Sequence, residues 1–453
     1  MRQHYDNVMS QGNRLGLSGA CIAFLGLIFA APAAAENEPK LPRFGDYEHL
    51  GVATCSGSTC HGSGREVADS NVLQTEFLIW HRKDAHSRAY DVLRSERSQR
   101  MARRLGLGKA TEADTCLDCH ADNVPPDRRG KRFQLSDGVG CEACHGGGEE
   151  WIRSHASGEV SHAENIEQGL YPTDRPVDRT RLCMSCHYSN PASKMSHRLM
   201  AAGHPSLLFE ADTFSLIRPR HHEVDADYRR RKMAASAADT WAIGQAVAAR
   251  IKLEHVRDDL ERDDLFPELY YFDCRSCHHE LGDDSWVARP VVDMAPGSVR
   301  FEDATFRMLG YVLAELEPEL GQQWRARLKA LHRAQASGFG AVREAAGQLH
   351  AMAAKAEERL AGTRLDTAAV RAIAGRIVAA GAASGYANRT WSDQASMALG
   401  ALIDNLASRD GLEEEQLEQA RQQLDRLFDA LASPYGHDAE RVRGILQGLK
   451  PVF

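Results

Sequence analysis

The second half of the chain has the spacing of apolar residues that amphipathic helices show. Apolar residues recur three and four positions apart in stretches that begin at Phe306, Arg325, Ala341 and Leu412, which is the period of one helix face. Stop signals separate these stretches, namely Pro318, Gly338, Gly362, Gly385, Gly411 and Pro434. The pattern predicts an antiparallel bundle of α-helices over residues 298–453.

The first half of the chain has no comparable apolar periodicity. Its apolar runs are short and glycine is frequent, so side chains alone would bury little core over about 250 residues. The turn-forming stretch PVVDMAPG, residues 290–297, separates the halves. We therefore expect a mainly α protein with two domains. Residues 36–290 would have little regular structure beyond helices and a large apolar cofactor inside, and residues 298–453 would form the helical bundle.

An apolar run near the N-terminus indicates export. Arg2 and Arg14 precede the run at residues 15–30, and small residues follow it up to Ala35. This layout is typical of a secretory signal peptide over residues 1–35, cleaved after Ala35. An uncleaved anchor is the alternative, because the run approaches membrane-spanning length. We expect a periplasmic protein that does not require membrane association.

The charge of the chain is modest. A formal net charge of −8 over 453 residues disfavours nucleic acid as a partner and is compatible with a basic or mixed-charge redox protein. Solvated helix surface accounts for such acidity equally well, so charge alone does not identify a partner.

Five cysteine pairs in the first half each end in Cys-His. Four of them have the spacing CxxCH, whereas the first, CSGSTCH, has four residues between its cysteines. One helical turn between two thiols brings both to one porphyrin edge, and the imidazole that follows can bind the iron. We therefore predict five covalently attached haem c groups, held by Cys55, Cys60 and His61; Cys116, Cys119 and His120; Cys141, Cys144 and His145; Cys183, Cys186 and His187; and Cys274, Cys277 and His278.

Two other structures could use the same residues. Ten of the eleven cysteines lie outside the predicted signal peptide, and an even number in an oxidising compartment could form disulfides. Clusters of cysteine and histidine could instead bind zinc. Neither explains why histidine directly follows all five pairs, when only 20 of 453 residues are histidine. At the first pair, attachment through Cys60 alone is a further alternative.

The second axial ligands are harder to assign. A haem that only passes electrons usually has both axial positions filled, whereas a catalytic haem keeps one open. Spare histidines outnumber the five that are needed. His221 and His222 lie between arginines in a polar loop, and we do not select them. The context of the others favours His86, His155, His162, His197 and His204.

The order of motifs resembles that of the cytochrome c-554-like multihaem family. The similarity covers roughly residues 50–285 and includes CSGSTCHGS, WHRKDAHSRAYDVL, CLDCHA, DGVGCEACHGGGEEWI, LCMSCHY, HRLMAAGHPSLLFE and CRSCHHEL. The resemblance implies a mostly helical fold around stacked haem pairs. It also implies the five motif histidines as proximal ligands, and His86 with the histidines of HRLMAAGHP as distal ligands. The fifth site and the cysteine-free second half depart from the tetrahaem pattern.

These observations favour a periplasmic electron carrier over an enzyme. Its expected partners are other redox proteins, either cytochromes or a quinol-linked complex, and the C-terminal helices are a candidate surface for homo-oligomer formation. The alternative is a reductase or oxidase of small nitrogen or sulfur compounds that works at a five-coordinate haem.

Overall fold

The computed structural model describes residues 38–453 except 69, 71, 191, 260–267, 279–293, 295–297, 385–387 and 434–436. The predicted signal peptide, residues 1–35, lies outside the described residues, and so does most of the predicted boundary at 290–297. Residues Pro39–Phe453 form one compact unit. None of the helices in the described part is long and apolar enough to cross a bilayer.

The chain is mainly α-helical, as predicted, and the described residues contain isolated bridges but no β-strand. Thirteen α-helices precede residue 260: α1 Val52–Cys55, α2 Glu76–Lys83, α3 Ala89–Leu93, α4 Glu96–Leu105, α5 Asp114–His120, α6 Cys141–His145, α7 Trp151–Ser157, α8 His162–Glu167, α9 Pro176–His187, α10 His197–Ala202, α11 Ala211–Ile217, α12 Ala226–Arg231 and α13 Ala237–Asp259. Seven follow among the described residues: α14 Ala304–Leu316, α15 Pro318–Ala334, α16 Phe339–Ala361, α17 Thr367–Ser384, α18 Arg389–Ala407, α19 Glu414–Ala430 and α20 Ala439–Leu449. Short 3-10 helices cover Pro42–Phe44, Ala85–Arg88, Pro126–Arg128, Leu135–Asp137, Leu269–Tyr271, Cys274–Ser276 and Gln335–Ser337.

Local signals explain where several short helices begin and end. The Ser95 side chain accepts a hydrogen bond from the Ser98 backbone at the start of α4, and Gly106 ends that helix in the left-handed region with φ 74°. Ser161 and Glu164 form a capping box at the start of α8. These caps matter because such short helices gain little stability from their own length.

The four periodic stretches of the second half lie in helices, namely α14, α15, α16 and α19. Pro318 does not interrupt a helix, because it occupies the first turn of α15, where a missing N–H costs nothing. Gly338 precedes α16 with φ 98°, a conformation that suits glycine. The period of the apolar residues therefore located four of the seven helices described in this half.

Helix α13 lies in the predicted haem domain but packs in the core of the bundle. Its buried residues include Trp241 and Leu253, which belong to one hydrophobic cluster that continues to Val452. In the first half, a much smaller cluster contains Leu93, Ala102, Ala110, Leu117 and Ala121. By its packing, the bundle therefore begins at α13, earlier than the predicted boundary. The division into domains at 290–298 stays a prediction.

Buried ion pairs link two cysteine-motif segments to the bundle. Glu357 of α16 pairs with Arg181 of α9 and also with Arg250 of α13, the latter at 2.7 Å. Asp273, which directly precedes Cys274, pairs with Arg300, and both side chains are 5% exposed. Charges that are this buried must be paired to be tolerated. The bundle thus helps to position the fourth and fifth cysteine motifs.

Candidate haem-binding site

Three of the five cysteine motifs form the last turn of a helix. Helices α5, α6 and α9 end at His120, His145 and His187 respectively, so both thiols and the imidazole of each motif share one turn. In the motif that ends at His278, a 3-10 helix covers Cys274–Ser276, and the His278 N–H donates to the Cys274 carbonyl at 2.7 Å. This arrangement is the one that the spacing predicted.

The expanded first motif closes through a tight turn. Helix α1 ends at Cys55, and the His61 N–H donates to the Cys55 carbonyl at 3.2 Å, so the four residues between the two cysteines bulge out. A Cβ atom at Gly62 would lie 2.0 Å from the Ser56 carbonyl oxygen, so the turn requires glycine there. The bulge leaves Cys60 and His61 close to the end of α1, where Cys55 lies.

The two alternative structures for these residues are not present in the described part of the chain. All ten cysteines from Cys55 to Cys277 are thiols outside any disulfide. No group of three or more histidine, cysteine or acidic side chains among the described residues is arranged to hold a metal ion by itself.

Each of the five motif histidines faces a second imidazole. The ring centroids of the pairs lie 6.1–6.4 Å apart: His61 with His155 at 6.1 Å, His187 with His86 at 6.2 Å, His120 with His204 at 6.4 Å, His145 with His221 at 6.3 Å, and His278 with His197 at 6.1 Å. The ring planes are nearly parallel in the first and last of these pairs, at 15° and 25°. They are nearly perpendicular in the other three, at 84°, 78° and 86°.

This separation fits two imidazoles on opposite sides of one metal ion. An imidazole nitrogen binds a metal at about 2 Å, and the ring centre lies about 1 Å beyond the nitrogen because ring bonds are about 1.3 Å long. Two such rings therefore have centres about 6 Å apart. The residues present thus fit five haems with histidine at both axial positions.

The structure brings four of the five predicted distal histidines to a motif histidine, namely His86, His155, His197 and His204. The fifth, His162, instead lies with its Nε2 3.1 Å from Asp174. The partner of His145 is His221, which sequence reasoning did not select. His221 lies in a polar loop flanked by arginines, so no helical period indicated where its side chain points. The only signal in the sequence is that a second histidine directly follows it.

Helix α4 fixes the segment that carries two of these distal histidines. Arg97 donates to the Gly203 carbonyl at 2.8 Å, and Arg104 donates to that of the preceding residue at 3.1 Å. These arginines cap α10 at its C-terminal end, where carbonyls lack partners within the helix. Since His197 begins α10 and His204 follows it, one capped helix positions histidines for two different imidazole pairs.

Several paired imidazoles also have a hydrogen-bond partner on Nδ1. His61 Nδ1 lies 3.0 Å from Glu76, and His86 Nδ1 lies 2.8 Å from Asp84. His120 and His204 use backbone carbonyls, at 3.0 and 2.8 Å. Such partners fix the tautomer and leave Nε2 for a metal, and a carboxylate makes the imidazole a stronger donor ligand.

Burial keeps several of these imidazoles neutral, which is the form that binds iron. Burial, with the neighbouring His221 and Arg218, lowers the pKa of His145 to about 3. Burial and the adjacent His86 lower the pKa of His187 to about 4. At His61 the hydrogen bond with Glu76 outweighs burial and raises the pKa. The site therefore contains both neutral and carboxylate-supported ligands.

Contacts between thiols show which motifs are neighbours. A hydrogen bond between Cys55 and Cys141 lowers the pKa of Cys55 and raises that of Cys141. A hydrogen bond between Cys119 and Cys186 raises the pKa of Cys119 and lowers that of Cys186 to about 7. The first motif therefore lies beside the third, and the second beside the fourth.

The motif geometry and the paired imidazoles define a c-type cytochrome, a class of electron carriers that bind haem covalently. Residues 54–146 match the family model described as cytochrome c554 and c-prime, which confirms the resemblance to the cytochrome c-554-like family over that segment. The matched segment contains the first three cysteine motifs. No curated protein and no solved structure gives a significant match to the chain.

Proposed function

We propose that this chain is a periplasmic five-haem cytochrome that transfers electrons between redox partners. The observation that carries the proposal is the set of five imidazole pairs, each of which joins a motif histidine to a second histidine 6.1–6.4 Å away. Two filled axial positions at every site suit electron transfer without a substrate on the metal.

The ten motif cysteines would hold the cofactors through thioether bonds, and the ten paired histidines would bind the irons. When bound, haem c supplies a one-electron Fe(III)/Fe(II) couple. The chain contributes fixed imidazole orientations, burial from water, and carboxylates at Glu76 and Asp84 that favour the more positive oxidation state.

The order of the sites supports a continuous path. The first site neighbours the third through Cys55 and Cys141. Burial raises the pKa of Cys144 most, and the charges of Cys183 and Cys186 raise it further, so the third site lies near the fourth. The fourth site also neighbours the second, through the contact between their thiols. The fourth and fifth sites line the same cavity, whose walls include His187, Cys274, Tyr188 and Tyr270. The Tyr188 and Tyr270 ring centroids lie 5.9 Å apart.

The alternative function, reduction or oxidation of a small nitrogen or sulfur compound, requires one axial position that is open to substrate. Each of the five motif histidines already has a facing imidazole, which favours the carrier. The signal peptide at residues 1–35, redox partners that are cytochromes or a quinol-linked complex, and oligomer formation through the bundle remain parts of the proposal.

Mass spectrometry and electron paramagnetic resonance of the exported protein test it together. We expect a mature chain that starts after Ala35, with five haems attached and wholly low-spin ferric signals. Four haems with an unmodified Cys55 would contradict the first site. A sizeable high-spin population that shifts when nitrite, hydroxylamine or cyanide is added would overturn the carrier in favour of the enzyme.

A further inference from the structure

A buried acidic segment lies directly beside the fourth cysteine motif. The chain from residue 209 to residue 214 starts and ends with phenylalanines that pack on His187, with ring centroids 5.5 Å away for Phe209 and 5.2 Å for Phe214. Between these phenylalanines in the chain lie Glu210 and Asp212, which are only 2% and 6% exposed. Two carboxyl groups are thus held in the interior, on a segment whose two ends pack on His187.

The two carboxyl groups have different environments. Burial raises the pKa of Glu210, but its carboxylate accepts backbone hydrogen bonds from Asp212 and Thr213, both at 2.8 Å, which partly offset that cost. Asp212 has a buried Oδ2 atom to which no side chain or backbone group of the described residues donates. An ionised carboxylate in that position is costly, whereas a protonated one is not.

The charged groups around Asp212 come from three elements. Glu210 belongs to its own segment, Asp404 approaches from α18, and Arg179 approaches from α9. Helix α13 also packs on α11, through Gly244 against Ala211. Two negative neighbours therefore oppose one positive neighbour. Burial first, and then Glu210 and Asp404, raises the pKa of Asp212 to about 7.

We infer that Asp212 is a proton-accepting site that couples electron transfer at the fourth site to proton uptake. This inference rests on the proposed function. When one electron from a redox partner enters the site beside His187, the local charge falls by one, and the Asp212 carboxylate takes one proton from solvent and forms an O–H bond. When the electron leaves, that bond breaks and the proton returns to solvent.

Asp404 is the solvent-exposed neighbour of Asp212. Its side chain is exposed on α18, and its negative charge raises the proton affinity of the buried carboxyl. It also offers a graded test, because removal of its negative charge lowers the proton affinity of Asp212 without removing the acceptor.

Potentiometric titration of the haem-loaded protein across pH 5 to 9 tests the inference. We expect one of the five midpoint potentials to fall as pH rises near 7. The fall should reach up to about 59 mV per pH unit, which for a one-electron couple is a tenfold change in the ratio of reduced to oxidised protein. Asp212→Asn should abolish this slope, and Asp404→Asn should move it to lower pH. Asp425→Asn, which removes a charge from an exposed position on α19, should leave it unchanged.

A slope that persists in Asp212→Asn, or a flat profile in the unchanged protein, would overturn the inference. If Asp212→Asn does not fold, infrared difference spectra of the unchanged protein decide it. Reduction at pH 7 should then produce a protonated-carboxyl band that shifts in D2O, and absence of that band is a negative result. Five low-spin haems with pH-independent potentials would refute the proton site alone, whereas missing or high-spin haems would refute the proposed function.

Discussion

His145 and His221 face each other with ring centroids 6.3 Å apart and ring planes at 86°. The next residue, His222, turns away and stacks on Tyr228 at 5.4 Å. Two adjacent imidazoles in one loop therefore have different environments, and only one of them can complete a metal site with His145. This difference provides a matched pair of variants.

His221→Ala should leave one iron without its second imidazole. We expect five attached haems and a new high-spin ferric signal that accounts for about one fifth of the iron, because a single axial position opens. His222→Ala should keep all five haems low-spin. Electron paramagnetic resonance of both variants, with the haem content measured in parallel, provides the comparison.

His162, one of the five histidines that the sequence favoured as distal ligands, extends the same test. Its Nε2 lies 3.1 Å from Asp174, so His162→Ala should resemble His222→Ala in its spectrum. A high-spin signal in His162→Ala combined with a wholly low-spin His221→Ala would show that the loop ligand is misassigned.

The ring-plane angles predict two kinds of low-spin iron. Nearly parallel imidazoles separate two of the iron d orbitals in energy and give a rhombic signal, whereas perpendicular imidazoles leave them close in energy and give a signal with a large maximum g value. The angles of 15° and 25° against 78°, 84° and 86° predict two rhombic and three large-g haems. Quantified spectra with five rhombic signals would contradict this geometry.

Glu76 should lower the potential of the first site. Its carboxylate lies 3.0 Å from His61 Nδ1, and negative charge at a ligand favours the ferric form. Glu76→Gln keeps a hydrogen-bond acceptor and removes the charge, so one midpoint potential should rise. The rise should be up to about 59 mV, which is a tenfold change in the ratio of reduced to oxidised protein. Glu66→Gln, exposed in the adjacent loop, is the control and should leave all five potentials in place.

The buried carboxylate of Asp303, at the start of α14, should stabilise the bundle. Asp303 accepts hydrogen bonds from Arg307 and His332 at 2.9 Å and from Trp391 at 2.6 Å. Asp303→Asn would leave a buried positive charge without its partner, which costs about 3–5 kcal/mol of unfolding free energy. Glu315→Gln breaks the more exposed pair with Arg376 and should cost less than about 1 kcal/mol. Denaturant titration of the haem-loaded variants measures both.

The same carboxylate predicts a dependence on pH. Burial alone would raise the pKa of Asp303, but the Arg307 charge and the His332 hydrogen bond outweigh it and hold the pKa well below its usual range. Because the folded pKa is lower than the unfolded one, this stabilisation is complete above about pH 4 and is lost as pH falls. The difference in unfolding free energy between the unchanged protein and Asp303→Asn should therefore shrink below about pH 4. A difference that grows on acidification would contradict the assignment.

The sequence predicted different features in the two halves of the chain. In the bundle, the apolar period located α14, α15, α16 and α19, because one helix face must be buried whatever its partner is. It did not place α13 in the same core, since that helix is buried around most of its circumference and has no single apolar face to read. Its place depends on contacts with α16 and α14, which no local pattern encodes.

By itself, the sequence predicted haem c as the cofactor and the five motif histidines as proximal ligands, because a cysteine pair followed directly by histidine is a local motif. Only the tertiary structure shows which second imidazole each motif histidine faces. The sequence context favoured His86 and His204. However, His221 faces His145 from a loop, and His162 lies beside Asp174. A distal ligand is chosen by which chain segments meet across a site, and that meeting is a property of the packed molecule.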